Sequence, residues 1–76
     1  MRIKSNYLTI REKDTLDFIK LFIDNNGYPP TVREICAGLK LSSTGTVQQF
    51  LKGLLEKGYI KRGNGARTIQ VVKEVI

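Results

Sequence analysis

The stretch SSTGTVQQFL, from Ser42 to Leu51, decides the fold, because its residue types separate onto two faces of a helix. Apolar residues within it and just beyond recur at helical spacing and predict one buried face: Val47, Phe50, Leu51 and Leu54. The opposite face is polar and carries Thr46, Gln48, Gln49 and Lys52. The first turn is small and polar and contains no acidic residue. Such side chains, on the exposed start of a docked helix, suit the base edges of a DNA groove.

Two capping boxes upstream predict two further helices. In Thr9-Ile10-Arg11-Glu12 and in Thr31-Val32-Arg33-Glu34, the threonine hydroxyl and the glutamate carboxylate can each accept from the other residue's backbone amide. The first box predicts a helix from Ile10 to about Asn25. Its apolar residues indicate packing on more than one side: Leu16, Phe18, Ile19, Leu21, Phe22 and Ile23. The second box predicts a helix that ends at about Leu39.

The second helix has a single apolar stripe, made of Val32, Ile35, Cys36 and Leu39. Cys36 lies inside this stripe, so we interpret it as a small buried apolar residue. The alternative is a reactive thiol.

Short connectors separate the helices. Gly27 suits the left-handed position after the first helix, and the prolines of Tyr28-Pro29-Pro30 predict an extended connector. Lys40-Leu41-Ser42 is predicted to be a tight turn in which Leu41 fills the core. Either Ser42 or Ser43 then caps the third helix.

The third helix is predicted to run to about Lys57 and to end at Gly58. Gly53 lies within it, where glycine costs about 1 kcal/mol relative to alanine. We therefore interpret Gly53 as a position of close packing.

After Gly58 the spacing of the apolar residues changes from the helical repeat to the alternation that is typical of a strand. YIKR at residues 59–62 and RTIQVV at residues 67–72 alternate, and the intervening GNGA contains an Asn-Gly hairpin signal. We expect Ile60, Ile69 and Val71 to face the helices. Basic residues crowd the predicted tip, namely Lys61, Arg62 and Arg67. The alternative is a hairpin that only completes the core, with its charges solvated.

These elements predict a mainly α fold with a small antiparallel β-hairpin. Three helices, a short turn between the second and third, and a basic hairpin are typical of a winged helix-turn-helix. The 76 residues allow one domain. Within it, residues 1–8 form a lead-in, with Tyr7 and Leu8 folding back onto the core, and residues 73–76 form a tail.

The positive charge lies mainly in the second half of the chain. The net charge is +6; residues 1–39 hold six basic and five acidic side chains, whereas residues 40–76 hold seven basic and two acidic ones. A solvated basic surface and a polyanion partner, most simply nucleic acid, both fit this distribution.

Composition argues against several classes of protein. A single cysteine excludes an internal disulfide, and with no histidine a zinc site and a histidine-based triad are not expected. We predict no catalytic residues, no metal and no cofactor. The basic N-terminus has no apolar segment behind it, so we expect neither a signal peptide nor a membrane partner.

Several motifs together resemble a known family. They are GYPPTVREI at 27–35, STGTV at 43–47, LKGL at 51–54 and KGYI at 57–60. They are similar to the winged helix-turn-helix domain of the LexA family of SOS-response repressors, from about Leu8 to Val72. The resemblance implies a bacterial or phage transcriptional repressor in the cytoplasm, on the nucleoid. It also implies that the partner is double-stranded DNA that contains a short palindromic operator.

The resemblance places the base-reading positions of the family in the third helix. With the polar first turn, it predicts base contacts from Ser43, Thr44, Gly45, Thr46, Gln48 and Gln49. Gly45, Gln48 and Gln49 differ from the side chains usual in the family, so the resemblance implies DNA binding without implying the usual SOS operator. Gln48 or Gln49 can pair bidentately with adenine, and the Thr46 methyl can contact a thymine methyl. The alternative for either glutamine is a solvated surface residue.

The hairpin of residues 59–72 is the wing of this fold. Contacts to the DNA backbone are predicted from residues around the third helix and on the wing: Thr31, Arg33, Ser42, Lys52, Lys61, Arg62, Asn64 and Arg67. First-turn amides, helped by the helix dipole, can donate to phosphate, and a basic wing can reach a neighbouring phosphate or the minor groove.

LexA proteins also carry a C-terminal domain that cleaves itself and forms the dimer, and nothing in this sequence corresponds to it. We therefore expect no self-cleavage, weak binding of a monomer to one half-site, and tighter binding as a dimer on two half-sites.

Two other classes of function remain open. A winged-helix module that binds a repressor or polymerase component would use the apolar residues Leu55, Tyr59, Val75 and Ile76. An enzyme is disfavoured because the carboxylates are scattered over helical surfaces without a nucleophile constellation.

Overall fold

A computed structural model describes residues 8–72, which form three helices followed by two short strands. Helix α1 spans Ile10–Asn26, α2 spans Val32–Gly38 and α3 spans Thr44–Glu56. Strand β1, Ile60–Lys61, pairs antiparallel with β2, Gln70–Val71, so that Ile60 lies opposite Val71. This is the predicted winged helix-turn-helix. The predictions for Tyr7 and for residues 73–76 lie outside the described residues.

Local sequence signals set the ends of the helices. Both predicted capping boxes form, with Thr9 and Glu12 at the start of α1 and Thr31 and Glu34 at the start of α2. Gly27 closes α1 with φ 81°, a left-handed conformation that glycine adopts without steric cost. The predicted bounds are confirmed to within one or two residues.

The core lies where α1 and α2 pack against α3 and the two strands cover its edge. Its fully buried side chains come from all three helices: Leu16, Ile19, Ile35, Val47, Leu51 and Leu54. Cys36 is buried, as predicted, and its thiol donates to the Leu41 carbonyl oxygen at 3.2 Å. Leu8 and Leu41 pack against the core, whereas Leu21 is 59% exposed, so its predicted place in the packed stripe was wrong.

The contact between α1 and α3 explains the glycine within α3. A Cβ at position 53 would collide with the Glu12 carboxylate, so Gly53 is a close-packing position, as predicted. That carboxylate accepts from the Lys57 ammonium at 2.6 Å. Glu12 thus joins the first turn of α1 to the end of α3.

The wing differs from the predicted hairpin. Ile60 and Ile69 are buried and Val71 packs against the core, as expected, but each strand contains only two residues. Residues 62–69 form a loop in place of a tight Asn-Gly hairpin. Arg67 has φ 54°, a left-handed conformation that cannot continue a strand. The Thr68 hydroxyl bridges this loop by contacts of 3.1 Å to the carbonyl oxygens of Gly63 and Gly65.

Candidate nucleic-acid interface

The first turn of α3 is open to solvent and free of acidic side chains. Ser43 is the N-cap, and its hydroxyl accepts from the Gly45 backbone amide at 3.1 Å. Ser43, Thr44 and Gly45 are exposed, and Thr46 is half-buried beside the fully buried Val47. The turn therefore presents backbone N–H groups and small hydroxyl side chains at the positive end of a helix dipole, which favours an anionic partner.

Gln48 and Gln49 follow on α3, and both are exposed. The Gln48 amide oxygen accepts a hydrogen bond of 3.1 Å from a guanidinium nitrogen of Arg62, the residue directly after β1. This bond joins the third helix to the wing on the outer surface of the molecule. A predicted base-reading residue and a predicted backbone-contacting residue therefore lie side by side.

Arg67 is the predicted backbone contact whose surroundings differ most from expectation. Its guanidinium donates two hydrogen bonds of 2.9 Å to the two carboxylate oxygens of Glu34. It also donates to the Pro29 carbonyl oxygen at 3.1 Å and lies 4.7 Å from the centre of the Tyr28 ring. Four contacts with one connector and one helix start indicate a structural role, so its contact with DNA stays a prediction.

The ion pair with Arg67 changes the pKa of the Glu34 carboxyl. Hydrogen bonds from Arg67 lower the pKa of the Glu34 carboxyl, and the capping hydrogen bond to the Thr31 amide lowers it further. The carboxylate is charged at neutral pH and holds the Arg67 guanidinium at the start of α2.

The remaining predicted backbone contacts lie on α2, on α3, in the turn before α3 and on the wing. Arg33, Ser42, Lys52, Lys61 and Asn64 are all exposed. Thr31 is half-buried, and its hydroxyl already accepts from the Glu34 amide as the cap of α2. Exposed cations therefore lie on all three elements of the predicted interface, namely α2, α3 and the wing.

The sequence of the chain matches a known family over most of its length. Residues 5–68 match the family model of the LexA DNA binding domain. The chain belongs to this family. It is 45% identical over 73 residues to the LexA repressor of Carboxydothermus hydrogenoformans, which covers 95% of this chain and 36% of that protein. It is 48% identical over 68 residues to the LexA repressors of Bacillus thuringiensis strain Al Hakam and Bacillus anthracis, covering 88% of this chain and 33% of theirs.

This member of the LexA DNA binding domain family therefore spans about a third of the length of the curated relatives it matches. The family membership agrees with the three helices and the wing. Among residues 8–72, no helix combines the length and hydrophobicity needed to cross a membrane, and no group of side chains could hold a metal ion.

Sequence reasoning did not identify Tyr28, Pro29 and Glu34 as the residues that hold Arg67 in this LexA-family domain. Glu34 and Arg67 are 33 positions apart in the sequence. Tyr28 and Pro29 were interpreted only as part of a connector. Tyr28, an aromatic residue next to two prolines, indicates a surface on which another side chain can stack, but it does not indicate that this side chain is Arg67.

Proposed function

We propose that this chain binds double-stranded DNA in a sequence-specific manner, as the DNA-binding part of a transcriptional repressor. The observation that carries the proposal is the exposed, acid-free first turn of α3, on a helix that Gln48 joins to the exposed wing cation Arg62. Helix α3 enters the major groove by its N-terminal end, and the wing lies on the backbone or in the adjacent minor groove. A DNA partner places the protein in the cytoplasm, on the bacterial nucleoid.

The residues divide into two roles. Base edges are read by the start of α3, through Ser43, Thr44, Gly45, Thr46, Gln48 and Gln49. Phosphates are held by Arg33, Ser42, Lys52, Lys61, Arg62 and Asn64, with Thr31 and Arg67 closer to the structural scaffold. Family membership supports DNA binding, and the exposure of all these residues except Thr31 and Thr46 supports their roles in it.

The test starts with selection of preferred sites from a random duplex pool. Selected and random duplexes are then titrated at several salt concentrations. Each phosphate neutralised contributes about −0.9 to the slope of log affinity against log salt concentration, so a steep negative slope is expected. Selection of no consensus, or binding that does not depend on salt, would contradict the proposal.

Substitutions separate the two roles. Gln49→Ala should relax the preference at one base pair, at a cost of about 1–3 kcal/mol in discrimination. Lys52→Ala should weaken binding to all sequences alike and reduce the salt slope by about 1. Equal losses on every duplex for both variants would mean that the roles are assigned wrongly.

The chain binds one half-site weakly as a monomer and more tightly when a palindromic operator supplies two half-sites, where it forms a dimer on DNA. For the domain itself we propose DNA binding and no enzymatic activity.

A protein-interaction module is the second candidate. Leu55 and Val72 are 44% and 48% exposed and line one groove with Ile60. Tyr59, which the sequence also assigned to this surface, is buried, and Val75 and Ile76 lie outside the described residues. Chemical-shift perturbation separates the candidates: shifts on α3 and the wing support DNA, and shifts confined to the Leu55 groove support a protein.

A further inference from the structure

The hydrogen bond between Gln48 and Arg62 has a defined chemical direction. A guanidinium carries only donors, whereas a glutamine side chain has one acceptor oxygen and an NH₂ group with two donors. The Arg62 nitrogen lies 3.1 Å from the Gln48 oxygen, so it is the oxygen that faces the wing. The NH₂ group of Gln48 is therefore the part of the amide left to face a partner.

This orientation changes what Gln48 can read. Bidentate pairing with adenine needs a donor for N7 and a free acceptor for the N6 amine. Arg62 occupies one of the two lone pairs of the Gln48 oxygen and turns that oxygen towards the wing, and both side chains are exposed. The groups that the pair presents to a ligand are therefore its remaining N–H donors.

Gln49 provides a contrast on the same turn of α3. It is exposed, and within residues 8–72 its side chain has no hydrogen-bond partner. Its donor and acceptor are both open, so the predicted bidentate contact with adenine fits Gln49 better than Gln48.

From these contacts we infer that Arg62 is a positioning residue that orients the Gln48 amide, so that Gln48 selects a base with a keto oxygen at one position of the operator. The keto oxygens in the major groove are guanine O6 and thymine O4. Adenine N6 and cytosine N4 are amines that would oppose the outward NH₂ group, and adenine can accept from that group only through N7. The inference rests on the proposed function and adds the class of base edge that one residue reads.

The experiment uses the 76-residue chain and the duplex selected from the random pool. All single base-pair variants of that duplex are titrated with the parent protein and with Gln48→Ala, Arg62→Ala and the double variant. Gln48→Ala identifies the position at which the preference disappears, and the parent should prefer a keto base there by about tenfold. Arg62→Ala should reduce the preference at the same position, and the double variant should lose little more than either single variant.

Gln48→Glu is the sharpest variant. A glutamate still accepts from Arg62 but has no NH₂ group, and a carboxylate accepts from amines such as cytosine N4. The preference at that one position should therefore change from keto to amino bases. A preference that remains keto would overturn the inference.

Lys61→Ala is the matched control. Lys61 is an exposed cation next to Arg62, and it takes no part in the hydrogen bond between Arg62 and Gln48. This variant should bind all duplexes more weakly and leave every base preference unchanged. If Arg62→Ala behaves in the same way as Lys61→Ala, the inference fails while the proposed function stands. If the parent protein selects no consensus at all, the proposed function fails first.

Discussion

At the scale of single residues, Gly53 shows how one missing side chain permits a helix contact. A Cβ there would meet the Glu12 carboxylate, which is held by Lys57. Gly53→Ala would gain about 1 kcal/mol in helix propensity but would overpack the contact at a cost of about 1–3 kcal/mol. We expect the free energy of unfolding, measured by urea denaturation, to fall by about 1 kcal/mol.

A double-mutant cycle with Glu12→Ala provides the control. Without the carboxylate, Gly53→Ala should be neutral or stabilising, because only the higher helix propensity of alanine remains. Stabilisation by Gly53→Ala in the presence of Glu12 would show that the contact relaxes without cost.

Glu12 also gives the fold a dependence on pH. Burial raises the pKa of its carboxyl, but hydrogen bonds from Lys57 and Thr9 outweigh burial, and the net pKa lies below the usual 4.5. Because the folded pKa is depressed, the ionised carboxylate stabilises the fold above pH 4.5, and this contribution is lost as the pH falls through the folded pKa.

The comparison is between the parent protein and Glu12→Gln. The parent should have the higher free energy of unfolding at pH 7, and the difference should shrink below about pH 4.5, where the unfolded carboxyl is protonated. Denaturant titrations from pH 7 to pH 3 measure it. A difference that stays constant over this range would rule out the Glu12 carboxylate as the titrating group.

At the scale of elements, Arg67 connects the wing to the start of α2. Its bonds to Glu34 and Pro29 and its position over Tyr28 hold the loop of residues 62–69. We expect Arg67→Ala to lower the backbone NMR order parameters of that loop, since the loop loses its contact with the helices. Lys61→Ala, which removes an equal charge from the wing, should leave them unchanged.

Glu34→Gln distinguishes a structural Arg67 from one that binds phosphate. If Arg67 acts by holding the wing, Glu34→Gln should loosen the loop and weaken DNA binding. If Arg67 instead acts on phosphate, losing the carboxylate would release it and strengthen binding.

The helices could be predicted from the sequence because their ends depend on neighbouring residues. Each capping box lies within four positions, and the apolar periods identify the buried faces. The wing loop could not be predicted in the same way. Its shape depends on Arg67 and Glu34, which are 33 positions apart, and this contact overrides the local Asn-Gly signal. Likewise, Gly53 was identifiable as a packing position, but its partner Glu12 was not.

At the scale of the whole molecule, the proposed function gives one domain one reading helix, so affinity should depend on how many domains bind a single duplex. We expect duplexes with two half-sites to bind more tightly than two independent sites would. The half-site centres should lie about one helical turn, roughly 10–10.5 base pairs, or a multiple of it, apart.

Electrophoretic mobility shift with half-sites at graded spacings tests this expectation. Inserting half a turn should remove the gain, because the second domain then faces the opposite side of the duplex. Equal affinity at all spacings would indicate that the domains bind independently.

The bond between Arg62 and Gln48 has a consequence for how such proteins diverge. Gln49 has an open side chain, so under the proposed base contacts a single substitution at position 49 can change the base preference. Position 48 shares its acceptor with position 62, so a substitution at either site alters the selective value of the other. New operators read through position 48 should therefore arise from paired substitutions, with the wing and the third helix evolving together.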